Sequence, residues 1–149
     1  MKNNYHDLID AVERIHRLSL ELLKNELKKE RILDINNVQS VLLYKIGTQI
    51  FRIGDLTDQG CYLGSNVSYN IRKLVENGYI LQVPCEYDKR SSEVKNTKKG
   101  IELCNFMDKI FEKHEKFLDK NGTGKKDLQN ILSGLSFLDS NLRKMVDYD

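Results

Sequence analysis

No apolar run in this chain approaches the length needed to cross a bilayer, and its first residues, Met1-Lys2-Asn3-Asn4-Tyr5-His6-Asp7, are polar where a secretion signal would be apolar. A cytoplasmic protein with no membrane partner is the expectation. Cysteine is scarce: Cys61, Cys85 and Cys104 are odd in number and lack paired short spacing, which excludes a disulfide framework and a CxxC zinc site. Reduced, mostly buried thiols remain, although Cys61 stands where oxidation would reach a neighbouring helix. His6, His16 and His114 are scattered without ligand spacing, so no metal is expected. Asn121-Gly122-Thr123-Gly124-Lys125 lacks the earlier glycine and the final Ser or Thr of a phosphate loop, and no strand precedes it. No nucleophile, base and oxyanion set can be named. The sequence therefore reads as a non-enzyme with no cofactor.

What is present is one domain's worth of chain: 149 residues, 40% hydrophobic and 31% charged, enough for a core and for solubility. The net charge of +2 hides an uneven distribution, because residues 64–99 hold seven Lys or Arg against four Asp or Glu. An excess of positive charge in that segment fits contact with an anion.

In chain order, Leu8, Ile9, Val12, Ile15, Leu22, Leu23 and Leu27 make residues 5–30 a long amphipathic helix without Gly or Pro. Residues 36–46 follow as a second and more apolar helix, capped by Asn36 or Asn37 and stopped at Gly47. Residues 49–53 alternate weakly and suit a very short strand. Asp55–Gln59 is a brief helix ended by Gly60. The next helix spans Ser65 to Asn77, with Ser65 or Asn66 as cap and Gly78 as its left-handed exit. Its Val67, Ile71, Leu74 and Val75 form an apolar stripe, while Ser65, Tyr69, Arg72, Lys73 and Glu76 point away and Asn70 leans toward the core. Taken alone, this helix could be any amphipathic helix with a solvated face. Paired with the brief helix before it, it is the second member of a helix-turn-helix, the member that enters a DNA groove.

Residues 79–83 and 92–96 then read as two strands around the charged turn Tyr87-Asp88-Lys89-Arg90-Ser91. Pro84, the single proline, cannot donate to a ladder and belongs at an edge or bulge. A helix-turn-helix followed by a basic-tipped hairpin is a winged helix. A helix to about Lys120 follows, with Leu103, Met107, Ile110, His114 and Phe117 on one face. The last helix sets Leu128, Ile131, Leu135, Leu138, Leu142 and Met145 at steps of 3, 4, 3, 4 and 3, a seam that wants a partner helix. A winged helix does not need these terminal helices for its own core, so they are assigned to pairing with a second copy through Leu8, Val12, Ile15 and that seam; packing on each other within one chain is the alternative. The expected fold is mainly α with a small β wing. It is a single domain, 1–149, with a winged helix-turn-helix over 36–97 flanked by dimerisation helices at 5–30 and 101–147.

Ser65 with Val67-Ser68, Leu74 with Gly78-Tyr79-Ile80, the wing Asp88-Lys89-Arg90 and the helix opening Thr97-Lys98-Lys99-Gly100 together make nearly the whole chain resemble the MarR family of bacterial transcription regulators. Residues 62–70 are most similar to an alphaproteobacterial subgroup typified by LdtR. The resemblance implies a homodimer on double-stranded DNA, probing successive major grooves with its recognition helices and flanking minor grooves with its wings, with a small-molecule effector in many relatives. Tyr69 stands where many members carry Arg, so that contact does not carry over. Arg72 and Lys73 are assigned to phosphates, Ser65, Asn66 and Tyr69 to base edges or nearby backbone, and Arg90, assisted by Lys89, to the minor groove; Ser68 and Asn70 complete the DNA-facing set. Asp88 is read as holding the wing. A homodimeric repressor on an inverted repeat is the leading expectation, and a winged-helix module that docks on protein is the alternative.

Overall fold

The computed structural model describes residues 1–58, 65–86 and 92–148. Within them the order is α1 (Asn4–Lys29), α2 (Asn37–Ile46), β1 (Phe51–Arg52), α3 (Ile53–Asp58), α4 (Ser65–Glu76), β2 (Ile80–Pro84), β3 (Ser92–Asn96), α5 (Lys98–Lys120) and α6 (Lys125–Tyr148). The chain forms two compact units, Met1–Asp108 and Lys109–Asp149. The architecture is the expected one, mainly helical with a small antiparallel sheet. Two sequence-assigned turns, Gly60 with Cys61 and the wing tip Asp88-Lys89-Arg90, lie outside the described residues.

In the first unit the strands lie in the order β1-β3-β2, with Ile80 opposite Asn96 and Pro84 opposite Ser92. Pro84 thus ends an edge strand, where its missing N–H costs no ladder bond. Leu42, Leu43, Ile46, Leu56, Val67, Leu74, Val94 and Met107 are closed to solvent, and α4 packs on α2 and β2. Asn36 caps α2 by a reciprocal pair: its side chain accepts from the Gln39 N–H while Gln39 Oε1 accepts from the Asn36 N–H.

α4 ends in a Schellman arrangement, with Tyr79 N–H on Leu74 O at 2.9 Å and Gly78 N–H on Val75 O at 3.1 Å. Gly78 holds φ +78°, the left-handed conformation that such an exit requires. α1 ends in the same pattern on Leu27 and Lys28, but with Arg31 at φ 56° in the left-handed position.

Long rows of apolar side chain stay open on α1 and α6. Along α1, Tyr5, Leu8, Ile9, Val12, Ile15, Leu18 and Leu22 are exposed, whereas Leu23 and Leu27 near its end are buried. In the second unit α6 buries none of its described residues. Its seam residues Ile131, Leu135 and Met145 are exposed and Leu128, Leu138 and Leu142 half-buried.

Candidate nucleic-acid interface

The two-sidedness of α4 creates the site. Val67, Ile71 and Leu74 are at most 2% exposed and fasten the helix to the first unit's core. Asn66, Ser68, Tyr69 and Arg72 are exposed on the other side, and Lys73 is half-exposed. Ser65 opens the helix, but of this residue only the backbone is described. Val75, placed by periodicity in the apolar stripe, is 38% exposed and sits at the stripe's margin.

Asn70 departs from its assignment. It is 7% exposed, and its side-chain carbonyl accepts from Gln39 Nε2 at 3.2 Å. Its spacing explains why: positions 67, 70, 71 and 74 follow the i, i+3, i+4, i+7 rule for a buried face. Asn70 is therefore a core residue tying α4 to α2, and it leaves the DNA-facing set. Lys89 and Arg90 lie outside the described residues, so the wing's share of the interface stays an expectation.

The exposed side carries an ordered group of cations. The Arg72 guanidinium carbon lies 5.7 Å from the Tyr69 ring centroid and Lys73 Nζ lies 5.9 Å from it, because residues three and four apart share a helix face. Lys73 Nζ is also 3.4 Å from Glu76 Oε2, whereas Arg72 has no carboxylate partner among the described residues.

A second cluster holds the exit of α4 in place, and sequence reasoning did not find it. Asp34, in the α1–α2 corner, accepts from Tyr79 Oη and from Lys99 Nζ, each at 2.5 Å. Lys99 Nζ also donates to Asn77 O at 2.8 Å, and Asn77 Nδ2 donates to Asp34 O at 2.9 Å. Lys99 stands 4.3 Å from the Tyr79 ring centroid. Burial works to raise the Asp34 carboxyl pKa, but the bonds from Lys99 and Tyr79 and the lysine's charge outweigh it and hold the group below its ordinary value. Burial first, and then the bond to Asp34, pushes the Tyr79 phenol well up. In the sequence Tyr79 and Lys99 stand only within separate motifs, and nothing local joins them to Asp34, 45 and 65 positions away. Beside it opens a cavity of about 580 Å³, lined among others by Arg31, Leu33, Lys99, Glu102 and Phe106.

Other chemistry does not converge here. Among the described residues no group of three His, Cys, Asp or Glu could hold a metal ion, and no helix is long and apolar enough to cross a membrane. Cys85 and Cys104 are buried free thiols, and burial, with the Asp108 charge, pushes Cys104 up.

A family model described as a winged helix DNA-binding domain matches residues 35–100. Over 135 residues the chain is 31% identical to the exopolysaccharide II synthesis transcriptional activator ExpG of Rhizobium meliloti (strain 1021), covering 91% of this chain and 70% of that protein. In fold it is similar to a MarR transcriptional regulator from Methanosarcina mazei Go1, with a TM-score of 0.77 at 22% identity over 94% of this chain and 99% of that one. It is also similar to S. aureus MepR, solved as a DNA complex, with a TM-score of 0.72 at 20% identity over 95% of this chain and 99% of that one. These comparisons do not separate out the LdtR-like subgroup that residues 62–70 resemble.

Proposed function

The chain belongs to the MarR family of winged helix-turn-helix transcription regulators, and we propose that it works in the cytoplasm as a homodimer that binds an inverted-repeat operator in double-stranded DNA. It is a regulator and not an enzyme. The observation that carries the proposal is α4, closed on one side by Val67, Ile71 and Leu74 and presenting Asn66, Ser68, Tyr69 and Arg72 on the other. Amides and hydroxyls suit base edges, and a guanidinium with no carboxylate partner among the described residues suits phosphate or guanine. The DNA complex of the similar MepR supports the same use.

Homodimerisation is supported by the apolar side chains left open on α1 and α6, which a lone chain would expose to water at a cost of about 25 cal/mol per Å². The division of labour proposed is that residues 36–97 read DNA while 5–30 and 101–147 pair the copies. Recognition helices related by a twofold should lie about 34 Å apart, one DNA turn. Gel shifts test this: a palindrome with half-sites about 10 base pairs apart should bind tightly, and one lengthened by half a turn weakly. Equal affinity for the two would overturn paired docking.

Repression follows if the dimer lies across a promoter and excludes polymerase. The Rhizobium meliloti relative is by its name an activator, a result that the same docking gives from a site upstream of the promoter. Transcription in vitro with and without the protein decides the sign. A small-molecule effector is the remaining part of the proposal. Its support is the cavity beside the Asp34 cluster, where a ligand on Lys99 would disturb the bonds that hold the exit of α4. Loss of the gel shift on adding a ligand that also raises the melting temperature would establish it.

A further inference from the structure

We propose that Tyr69 is a positioning residue for DNA recognition: its ring carries the Arg72 guanidinium and aims it, so that Arg72, and not Lys73, makes the sequence-selective contact. This rests on the DNA-binding reading of α4 above.

Three observations lead to it. First, Tyr69 is 49% exposed and its ring lies within 6 Å of both following cations, at 5.7 Å for Arg72 and 5.9 Å for Lys73. An aromatic face attracts a cation through its quadrupole and uses none of the cation's N–H donors. Second, the two cations differ in what else holds them. Lys73 is drawn to Glu76 at 3.4 Å, which offsets its charge, whereas Arg72 has no carboxylate partner among the described residues. Third, the side chains differ in kind. A guanidinium presents a planar fork of donors that can meet guanine O6 and N7 or two phosphate oxygens at once, and an ammonium is a point charge.

Held over the ring before DNA arrives, Arg72 forgoes less rotamer freedom on binding than a solvated arginine would. Tyr69 therefore acts on DNA by organising the cation three residues on.

The test uses the full chain and a duplex that the wild type itself selects from a pool of DNAs with a random core, alongside a scrambled duplex. Affinity and its salt dependence are measured for wild type, Tyr69→Phe, Tyr69→Leu, Arg72→Ala and the double variant Tyr69→Leu/Arg72→Ala. Tyr69→Phe keeps the ring and should bind within about two-fold of wild type. Tyr69→Leu should weaken binding to the selected duplex by about two- to five-fold, and should do nothing further in the Arg72→Ala background. Both side chains are exposed, so all variants should melt with the wild type. The proposal is overturned if Tyr69→Leu has no effect, if its loss persists undiminished without Arg72, or if Tyr69→Phe falls as far as Tyr69→Leu. A wild type that enriches no sequence and binds no duplex would instead remove the DNA reading on which the proposal stands.

Discussion

Gln39 and Asn70 meet side chain to side chain at 3.2 Å inside the first unit, and that one bond links the capping box of α2 to the middle of α4. Both residues are buried, so truncating either leaves a polar group without water to replace its partner. Asn70→Ala should lower the free energy of unfolding by about 1–3 kcal/mol. Urea titration measures this. If Asn70 faced DNA, the variant would keep its stability and lose affinity.

Asp34 supplies a pH dependence. Its carboxyl is held below the ordinary aspartate range by Lys99 and Tyr79 against the opposing effect of burial. The folded state thus favours the ionised form. The resulting stabilisation is complete above the unfolded pKa of about 3.9 and disappears as pH falls through the lower folded value. Melting temperature should decline on acidification below about pH 3.9, and less steeply in Asp34→Asn, which should be the weaker protein at neutral pH. A parallel decline in the two proteins would show that other carboxylates set the acid limit.

Gly100 is required by close approach. A Cβ there would stand 2.3 Å from Tyr79 O and 2.5 Å from Asn96 Oδ1. Neither can retreat freely, since Tyr79 O accepts the Thr97 N–H and Asn96 Nδ2 bridges Leu43 O and Gly47 O. Gly100→Ala should destabilise by about 1–3 kcal/mol, read by chemical denaturation. A variant as stable as wild type would mean that the junction of β3 and α5 yields more easily than these bonds suggest.

Pairing of copies through α6 is checked at Leu135, which is 37% exposed on the seam. Leu135→Asp places a carboxylate where the proposed dimer has an apolar contact. Light scattering should report the mass falling from dimer toward monomer, with a matching loss of affinity for the two-half-site duplex. Unchanged mass would move the interface elsewhere.

Much of this was legible before any coordinates. The terminal helices, a cap at Asn36 or Asn37, the exit at Gly78, two strands with Pro84 at an edge or bulge and the exposed side of α4 all follow from periodicity and local chemistry, which act over a few residues. Residue type misleads at Asn70, whose amide suits a base edge while its i+3 relation to Val67 already leans it toward the core. The Asp34, Asn77, Tyr79 and Lys99 cluster was missed for a different reason: its members are ordinary polar residues that become partners only after three segments are brought together.

The order of residues alone settled which stretches are helix or strand and which side of each is apolar, since those preferences arise within one or two turns of backbone. The tertiary structure decided which partners the buried polar groups meet. Asn70 is satisfied by Gln39 only where α2 crosses α4, and Gly100 is forced only where α5 passes the Tyr79 carbonyl. Local spacing already turns Asn70 inward, but the partner that satisfies it and the atoms that crowd Gly100 come from distant segments, which no local pattern names.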